Sequence, residues 1–352
     1  MKIRTRWMRT AGVLLAASLL AAGCGGGDGG SGPAPTGDAQ WQAVVKAANK
    51  EGHVTWYTMA PQSAQEALKK AFEKKYPDIS VKVRSMGIAE LNSALEAEKK
   101  TGAEGADVAT SVAYSWVYEK EKAGWFADLT GGSLKAPEWT SSGYLVNNKI
   151  VVAPLGLIVL GWNATLLPGG VKTYTDLLNP KLGNGAIGVV QPEPAIHADN
   201  WAFIEKNFDQ NWLQKLAAQK PTVFPSAFAL QEALAAGEVA VGSFVSATDM
   251  VGLQDKGAPV KFAVTNPAWA AQNLFFALKS AKHPNAAQVF MDFFASPEGQ
   301  LAAARNGYSP LKDVAPKTLG GKSRVVLTDV KQVLDPKWGP EYLARWKQTF
   351  GK

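Results

Sequence analysis

Between residues 53 and 122 short apolar runs alternate with longer amphipathic stretches, and the alternation occurs three times. His53 to Met59, HVTWYTM, is apolar enough for a buried strand. Pro61 then opens a stretch in which Ala64, Ala67, Leu68, Ala71 and Phe72 fall at i, i+3, i+4, i+7 and i+8, one face of a helix. Asp78 to Met86 predicts a second strand, with Ile79, Val81 and Val83 alternating. Ile88, Leu91, Ala94 and Leu95 mark a helix that Gly102 ends. Ala106 to Thr110 predicts a third strand and Tyr114 to Lys122 a third helix. Strand–helix units in series demand crossover connections, so the chain is expected to build an open, largely parallel sheet with helices on both faces.

The rest of the chain keeps that style. Asp38 is placed to cap a helix running to Lys50, with Gly52 just beyond it. Further strands are expected at Ala186 to Val190, Glu238 to Val245 and Ala258 to Val264. Helices are expected from about Asn200 to Phe208 and from Asn211. Others run from Ser226 to Gly237, from Ser246 to before Gly257, from Pro284, and from Ser296-Pro297. No short-period repeat is present. A chain of 352 residues with this pattern is expected to form two α/β lobes.

The first 24 residues look like an address. Met1 to Arg9 is cationic, Ala11 to Ala22 is a short apolar core, and Leu20-Ala21-Ala22-Gly23-Cys24 follows. This resembles the lipobox of bacterial lipoproteins, except that Ala21 stands where Leu is usual. The resemblance implies a signal peptide over residues 1–23 and acylation of Cys24, the only cysteine of the chain. An ordinary secretory signal with an incidental cysteine is the alternative. Residues 24–37, rich in glycine, have no side chain that could pack and are expected to act as a flexible tether. No second membrane-crossing candidate follows, because Pro154 and Gly156 interrupt the apolar stretch Ile150 to Leu160.

The net charge of +7 suggests a nucleic-acid binder, but Lys2, Arg4, Arg6 and Arg9 all lie in the leader. Without them 33 basic residues face 30 acidic ones, a balance of +3, and no basic run remains to hold phosphates. One cysteine excludes a disulfide scaffold and a CxxC zinc or redox site.

Several pieces then carry a family resemblance across nearly all of the chain after Cys24. They are Gly52 to Thr58, Ala71 to Pro77, Ala106-Asp107-Val108, Leu234 to Gly242 and Lys256 to Val260. The series continues with His283 to Ala287, Phe290 to Phe293, Ser296 to Gln300 and Tyr308 to Leu311. In order and spacing these resemble the extracellular solute-binding proteins of ABC importers, in the branch that holds ferric-ion, thiamine and aminoethylphosphonate binders. The resemblance implies a two-lobed type II periplasmic-binding-protein fold. Each lobe is then a mostly parallel sheet flanked by helices, and two strands cross between the lobes. Crossings are expected near Gly156–Asn163 and Gln272–Leu278. Lobe one would comprise residues 38–157 and 273–320, and lobe two residues 158–272 and 321–352. A small solute would sit in the cleft, the lobes closing on it by hinge motion. The expected partners are that solute, a membrane permease and the lipid on Cys24. A monomer outside the cytoplasm is expected, without nucleic acid or cofactor.

In such a fold the loops after the strands face the cleft. The candidate ligand-binding residues are Thr58, Met59, Tyr114, Ser115, Trp116, His197, Asp199, Ser246, Thr248 and Asp249. Tyr114 and Trp116 could stack on an organic solute or pack in the core. Trp162 and Trp269 could line the cleft or pack behind it, whereas Trp56 reads as core. Asp199 could cap a helix and Asp249 complete a capping box with Ser246, or either could face a cationic group. His197 could bond the ligand or lie on the surface. Ser111, Ser115, Ser246 and Thr248 stand at helix starts, where they could donate to an anion or merely cap.

Ferric binders of the resembled branch use a histidine, an acid and two adjacent tyrosines. Those positions fall here on Pro61, Val112, Ala247 and Thr248, which leaves no tyrosinate-type iron site. The stretch Pro154 to Trp162 also lacks the arginine that flanks the anion in those relatives. The expected cargo is therefore an organic solute, with ferric ion or an iron chelate as the alternative. An α/β hydrolase is a distant alternative, disfavoured because the chain has neither a GxSxG elbow nor an HExxH motif. A surface adhesion protein is disfavoured because most of the chain goes into a hinged cleft.

Overall fold

A computed structural model describes residues 37–351 of the protein, except 142 and 305. The expected leader, Cys24 and almost all of the tether lie outside the described residues. Helix α1 (Gly37–Glu51) precedes β1 (His53–Thr58), α2 (Gln62–Lys75), β2 (Ser80–Ser85), α3 (Ile88–Thr101), β3 (Val108–Ser111) and α4 (Tyr114–Lys122). After α5 (Pro137–Thr140) and β4 (Leu145–Val146) comes the long strand β5 (Ile150–Asn163). Then follow β6 (Ile187–Val190), α6 (Ala195–Asn207), α7 (Trp212–Ala218), β7 (Thr222–Phe224), α8 (Ala227–Ala236), β8 (Val241–Ser246), α9 (Ala247–Asp255) and β9 (Val260–Ala263). The chain ends with β10 (Ala268–Ala277), α10 (Pro284–Ala295), α11 (Pro297–Ala304), β11 (Val325–Leu327), α12 (Val330–Val333) and α13 (Trp338–Phe350).

The helix boundaries follow from local chemistry. Gly102 and Gly237 take left-handed φ of 68° and 78° and end α3 and α8. The Ser226 hydroxyl accepts the Ala229 N–H at 3.1 Å and starts α8. Helix α6 departs from expectation: it begins at Ala195 rather than near Asn200, so Asp199 lies inside it and caps nothing. Asp38 likewise lies within α1.

One path of strands runs β2-β1-β3-β10-β5-β8-β6-β7, with β4 and β9 attached to β5 and β11 to β10. The β1–β2, β1–β3, β6–β8 and β6–β7 pairs are parallel, as the crossover helices require. The two long strands are antiparallel to each other and belong to both halves. In β5, Ile150 and Val151 pair with β4, whereas residues 158–163 pair with β8 and β9. In β10, residues 274–277 pair with β3, and Ala268 to Ala270 pair with β11. The register between β5 and β10 shifts between Ala271 and Asn273, where the strands pass from one half to the other. Gly156 lies opposite Ala271 there, and a Cβ on it would come within 3.0 Å of the Ala271 methyl.

The strands bury alternate side chains in different cores. On one face of the first sheet, Trp56 and Phe275 join Phe72, Phe290 and Phe294, with Phe275 stacked on Phe294 at 3.9 Å. On the other face, Tyr57 and Phe276 join Leu91, Val117 and Phe126. A third core holds Trp201, Trp212, Leu230, Val241 and Trp269. Helix α13 packs on it through Trp346, whose ring lies 6.0 Å from that of Trp201. This is the two-lobed type II periplasmic-binding-protein architecture, two α/β lobes joined by two crossing strands.

Candidate functional site: the interlobe cleft

The carboxyl ends of β1 and β3 point toward the second lobe, because β10 leaves β3 at Ser111 and Leu274 and continues there. The loops after these strands therefore form one rim. The Thr58 hydroxyl accepts the Ala60 N–H at 3.0 Å, and the Ser111 hydroxyl accepts the Ala113 N–H at 3.1 Å. Gln65 donates to the Ala60 carbonyl at 2.6 Å and fixes the turn into α2. Met59 is half-buried and Ser115 exposed.

The other rim is the start of α9. The Ser246 hydroxyl accepts the Asp249 N–H at 3.4 Å and caps the helix. Burial pushes the Asp249 carboxyl above its ordinary range, with Gln231 and Ser246 nearby opposing the rise. Helix α9 packs against α2, and the Thr248 hydroxyl donates to the Asn306 carbonyl at 3.4 Å. The two rims thus touch at one end of the cleft. Tyr308, half-buried two residues beyond Asn306, is a polar aromatic beside that contact. It opens the Tyr308 to Leu311 piece of the sequence resemblance, where nothing in the residues marks it for the cleft.

Behind the rims, one network ties the hinge together. The Tyr114 hydroxyl donates to the Gln272 carbonyl at 2.8 Å, in the stretch where β10 changes register. The Gln272 amide donates to the Thr328 carbonyl at 3.0 Å. The adjacent Asp329 N–H approaches the Asp199 carboxylate at 3.3 Å, and Gln332 donates to it at 3.2 Å. Trp269 Nε1 completes the set, donating to Asp199 Oδ2 at 2.8 Å. Asp199 is buried, and desolvation pushes its carboxyl up to about 6 despite these donors. Thr328 and Gln332 carry no signal in the sequence, because a lone hydroxyl or amide matches no motif.

The aromatic candidates divide. Tyr114 is 3% exposed, so its ring is packed in the core while its hydroxyl serves the hinge. Trp116 donates to Glu96 at 2.8 Å and meets Trp125 edge-on at 5.9 Å, along the seam between α3 and α4. Trp56 is core and donates to Thr110 at 2.7 Å. Trp162 packs over Gly170, toward the far end of the second lobe. His197 is half-buried: its ring lies 4.6 Å from Phe244, and its Nδ1 is 3.3 Å from the Gln191 carbonyl. Desolvation lowers the His197 pKa and favours the neutral imidazole.

The structure therefore groups Ser246, Thr248 and Asp249 on one rim and Thr58 and Met59 on the other. His197 and Asp199 share α6, Tyr114 joins Asp199 through the hinge, and Trp116 stands apart. The cleft rims supply hydroxyls, a helix start and the half-buried Asp249, a set suited to hydrogen-bonding a desolvated polar solute.

Residues 67–323 match the family described as bacterial extracellular solute-binding protein. No curated protein sequence matches. The fold is similar to that of a substrate-binding protein of an ABC transporter from Agrobacterium tumefaciens, with 17% identity and TM-score 0.69, covering 87% of this chain and 97% of that one. Iron-bound HitA from Pseudomonas aeruginosa is similar at 23% identity and TM-score 0.59, over 84% of this chain and 99% of that one. The spermidine/putrescine substrate-binding protein PotD from Streptococcus pneumoniae is similar at 15% identity and TM-score 0.60, over 85% and 99%.

Proposed function

The chain belongs to the bacterial extracellular solute-binding proteins, and from that membership we propose that it is the receptor of an ABC importer for a small organic solute. The lobes close on the solute about β5 and β10, and the loaded protein delivers it to a membrane permease. We assign residues 38–157 and 273–320 to one lobe and 158–272 and 321–352 to the other. Met59, Ser115, Ser246, Thr248 and Asp249 face the solute in this reading, and Thr58, fully buried at the end of β1, holds the loop beneath them. His197 stands beside them, and Tyr114 and Asp199 support the hinge behind. The protein acts as a monomer held outside the cytoplasm by lipid on Cys24, and it performs no chemistry on its cargo.

One observation, made on the sequence, carries the choice of an organic solute over bare ferric ion. The positions that ligate iron in the resembled branch are Pro61, Val112, Ala247 and Thr248 here, and none offers an anionic oxygen or an imidazole.

The test is a thermal-shift screen of amines, amino acids, sugars, sugar phosphates and vitamins against the purified protein, beside ferric citrate. A receptor gains stability from its solute without consuming it. An organic hit with unchanged ligand recovered afterwards supports the reading. Tight stoichiometric iron with a tyrosinate-to-iron band in the visible overturns the solute assignment, and turnover of the ligand overturns the receptor assignment.

A further inference from the structure

Two of the three histidines of the chain meet at the far end of the first lobe. His53 begins β1 and His283 precedes α10, and their ring centroids are 3.8 Å apart. Glu104, in the loop before β3, brings a carboxylate oxygen to 3.8 Å from His53 Nε2. One ligand atom from each of His53, Glu104 and His283 lies within 4.8 Å of the others. This place is the amino end of β1. The cleft rim at Thr58 is five residues along the strand, roughly 16–17 Å away.

Two features distinguish the cluster from an incidental contact. His53 Nε2 is buried and has no hydrogen-bond partner, which is rare for a buried ring nitrogen. His283 is also held in one orientation. The Asp107 carboxylate lies 3.0 Å from its Nδ1 and accepts its backbone N–H at 3.0 Å, while also accepting the Thr55 N–H at 2.8 Å. A carboxylate on Nδ1 leaves Nε2 as the free nitrogen, the arrangement that orients metal-bound histidines. Asp107 is fully buried, so this orientation is built into the lobe. Glu104 is largely exposed, which leaves one side of the cluster open to water.

We propose that His53, His283 and Glu104 form a binding site for a divalent transition ion of the zinc type, with Asp107 as the positioning residue. Two imidazoles and one carboxylate with water in a fourth position make a normal tetrahedral set. The two imidazole rings, 3.8 Å apart between centroids, stand closer than in a loaded tetrahedral site, so binding requires the rings to separate and the exposed Glu104 side chain to turn toward them. The ion would tie the loop before β3 to the start of α10, joining segments about 180 residues apart in the sequence. The site lies outside the cleft, so it is independent of whatever solute the cleft takes.

The experiment is titration of the purified protein with zinc chloride by calorimetry and thermal shift, repeated with cobalt chloride to read imidazole coordination in the visible. One equivalent is expected to bind and to raise the melting temperature. Glu104→Gln alters an exposed side chain and is expected to weaken binding at least about tenfold. His53→Gln and His283→Gln are expected to abolish it, and His197→Gln to leave it unchanged. Absence of zinc uptake by the wild type overturns the site. So does equal affinity in Glu104→Gln, or a loss that follows His197 instead.

Discussion

Asp199 and Trp269 are 70 residues apart in sequence, and the indole N–H of one donates to the buried carboxylate of the other at 2.8 Å. The acid pays a desolvation penalty that this bond only partly offsets, so its pKa rises to about 6. The folded state therefore holds this proton over a range in which the unfolded chain has released it. Stability falls as pH rises from the ordinary carboxylate range to about 6, and is level above that. Asp199→Asn keeps an acceptor for Trp269 and removes the titration. Relative to wild type, the variant is expected to gain about 2–3 kcal/mol between roughly pH 4 and pH 7. Chemical denaturation of both proteins across that range checks it, and parallel curves would refute it.

Tyr114→Phe removes the hydroxyl that meets the Gln272 carbonyl while keeping the ring in place. A cost of about 1 kcal/mol is expected, a drop of about 2 °C in melting temperature. Tyr114→Ala also empties a packed site and is expected to cost about 3–5 kcal/mol. Calorimetric melting of the two variants separates the bond from the packing.

Most elements of the fold are legible in the sequence, because their signals are local. Gly102 and Gly237 end helices through their own φ, Ser226 and Ser246 start them through their own hydroxyls, and the apolar runs at His53 and Val108 are strands without reference to anything distant. The short strands β4, β7 and β11 carry no such signal, for two or three residues become a strand only when a partner is beside them. The same holds for the hinge. Asp199 is answered by Trp269 and by residues 130 and 133 positions later, and no pattern read along the chain joins them. Tyr114 and Trp116 stand two apart on one helix, yet one turns to the core and the other to the outer seam.

Cys24→Ala is expected to abolish incorporation of labelled fatty acid and to release the protein from membranes. The measurement is metabolic labelling followed by fractionation. Equal labelling of wild type and variant would place the anchor elsewhere or remove it.

The contact of Thr248 with Asn306 holds the rims together at one end of the cleft. The protein without solute is expected to sample a more open arrangement, with closure on binding about the strand segments near Gly156 and Ala271. X-ray scattering with a solute found in the screen should show a smaller radius of gyration at saturation. Curves that superpose would argue against hinge closure.

The two crossings also set the order in which the molecule can be completed. Trp56 and Phe72 belong to a core that also takes Phe275, Phe290, Phe293 and Phe294 from segments some 200 residues later. A chain emerging amino end first has the early strands and helices of that lobe long before the side chains that cover them. Until β10 and α10 arrive, the face that will bury Trp56 has only a partial cover, and its contacts must close a very long loop. The first lobe can therefore settle only after the second has been threaded through its middle. Completion of the first lobe core thus waits until residues 268–295 have been made.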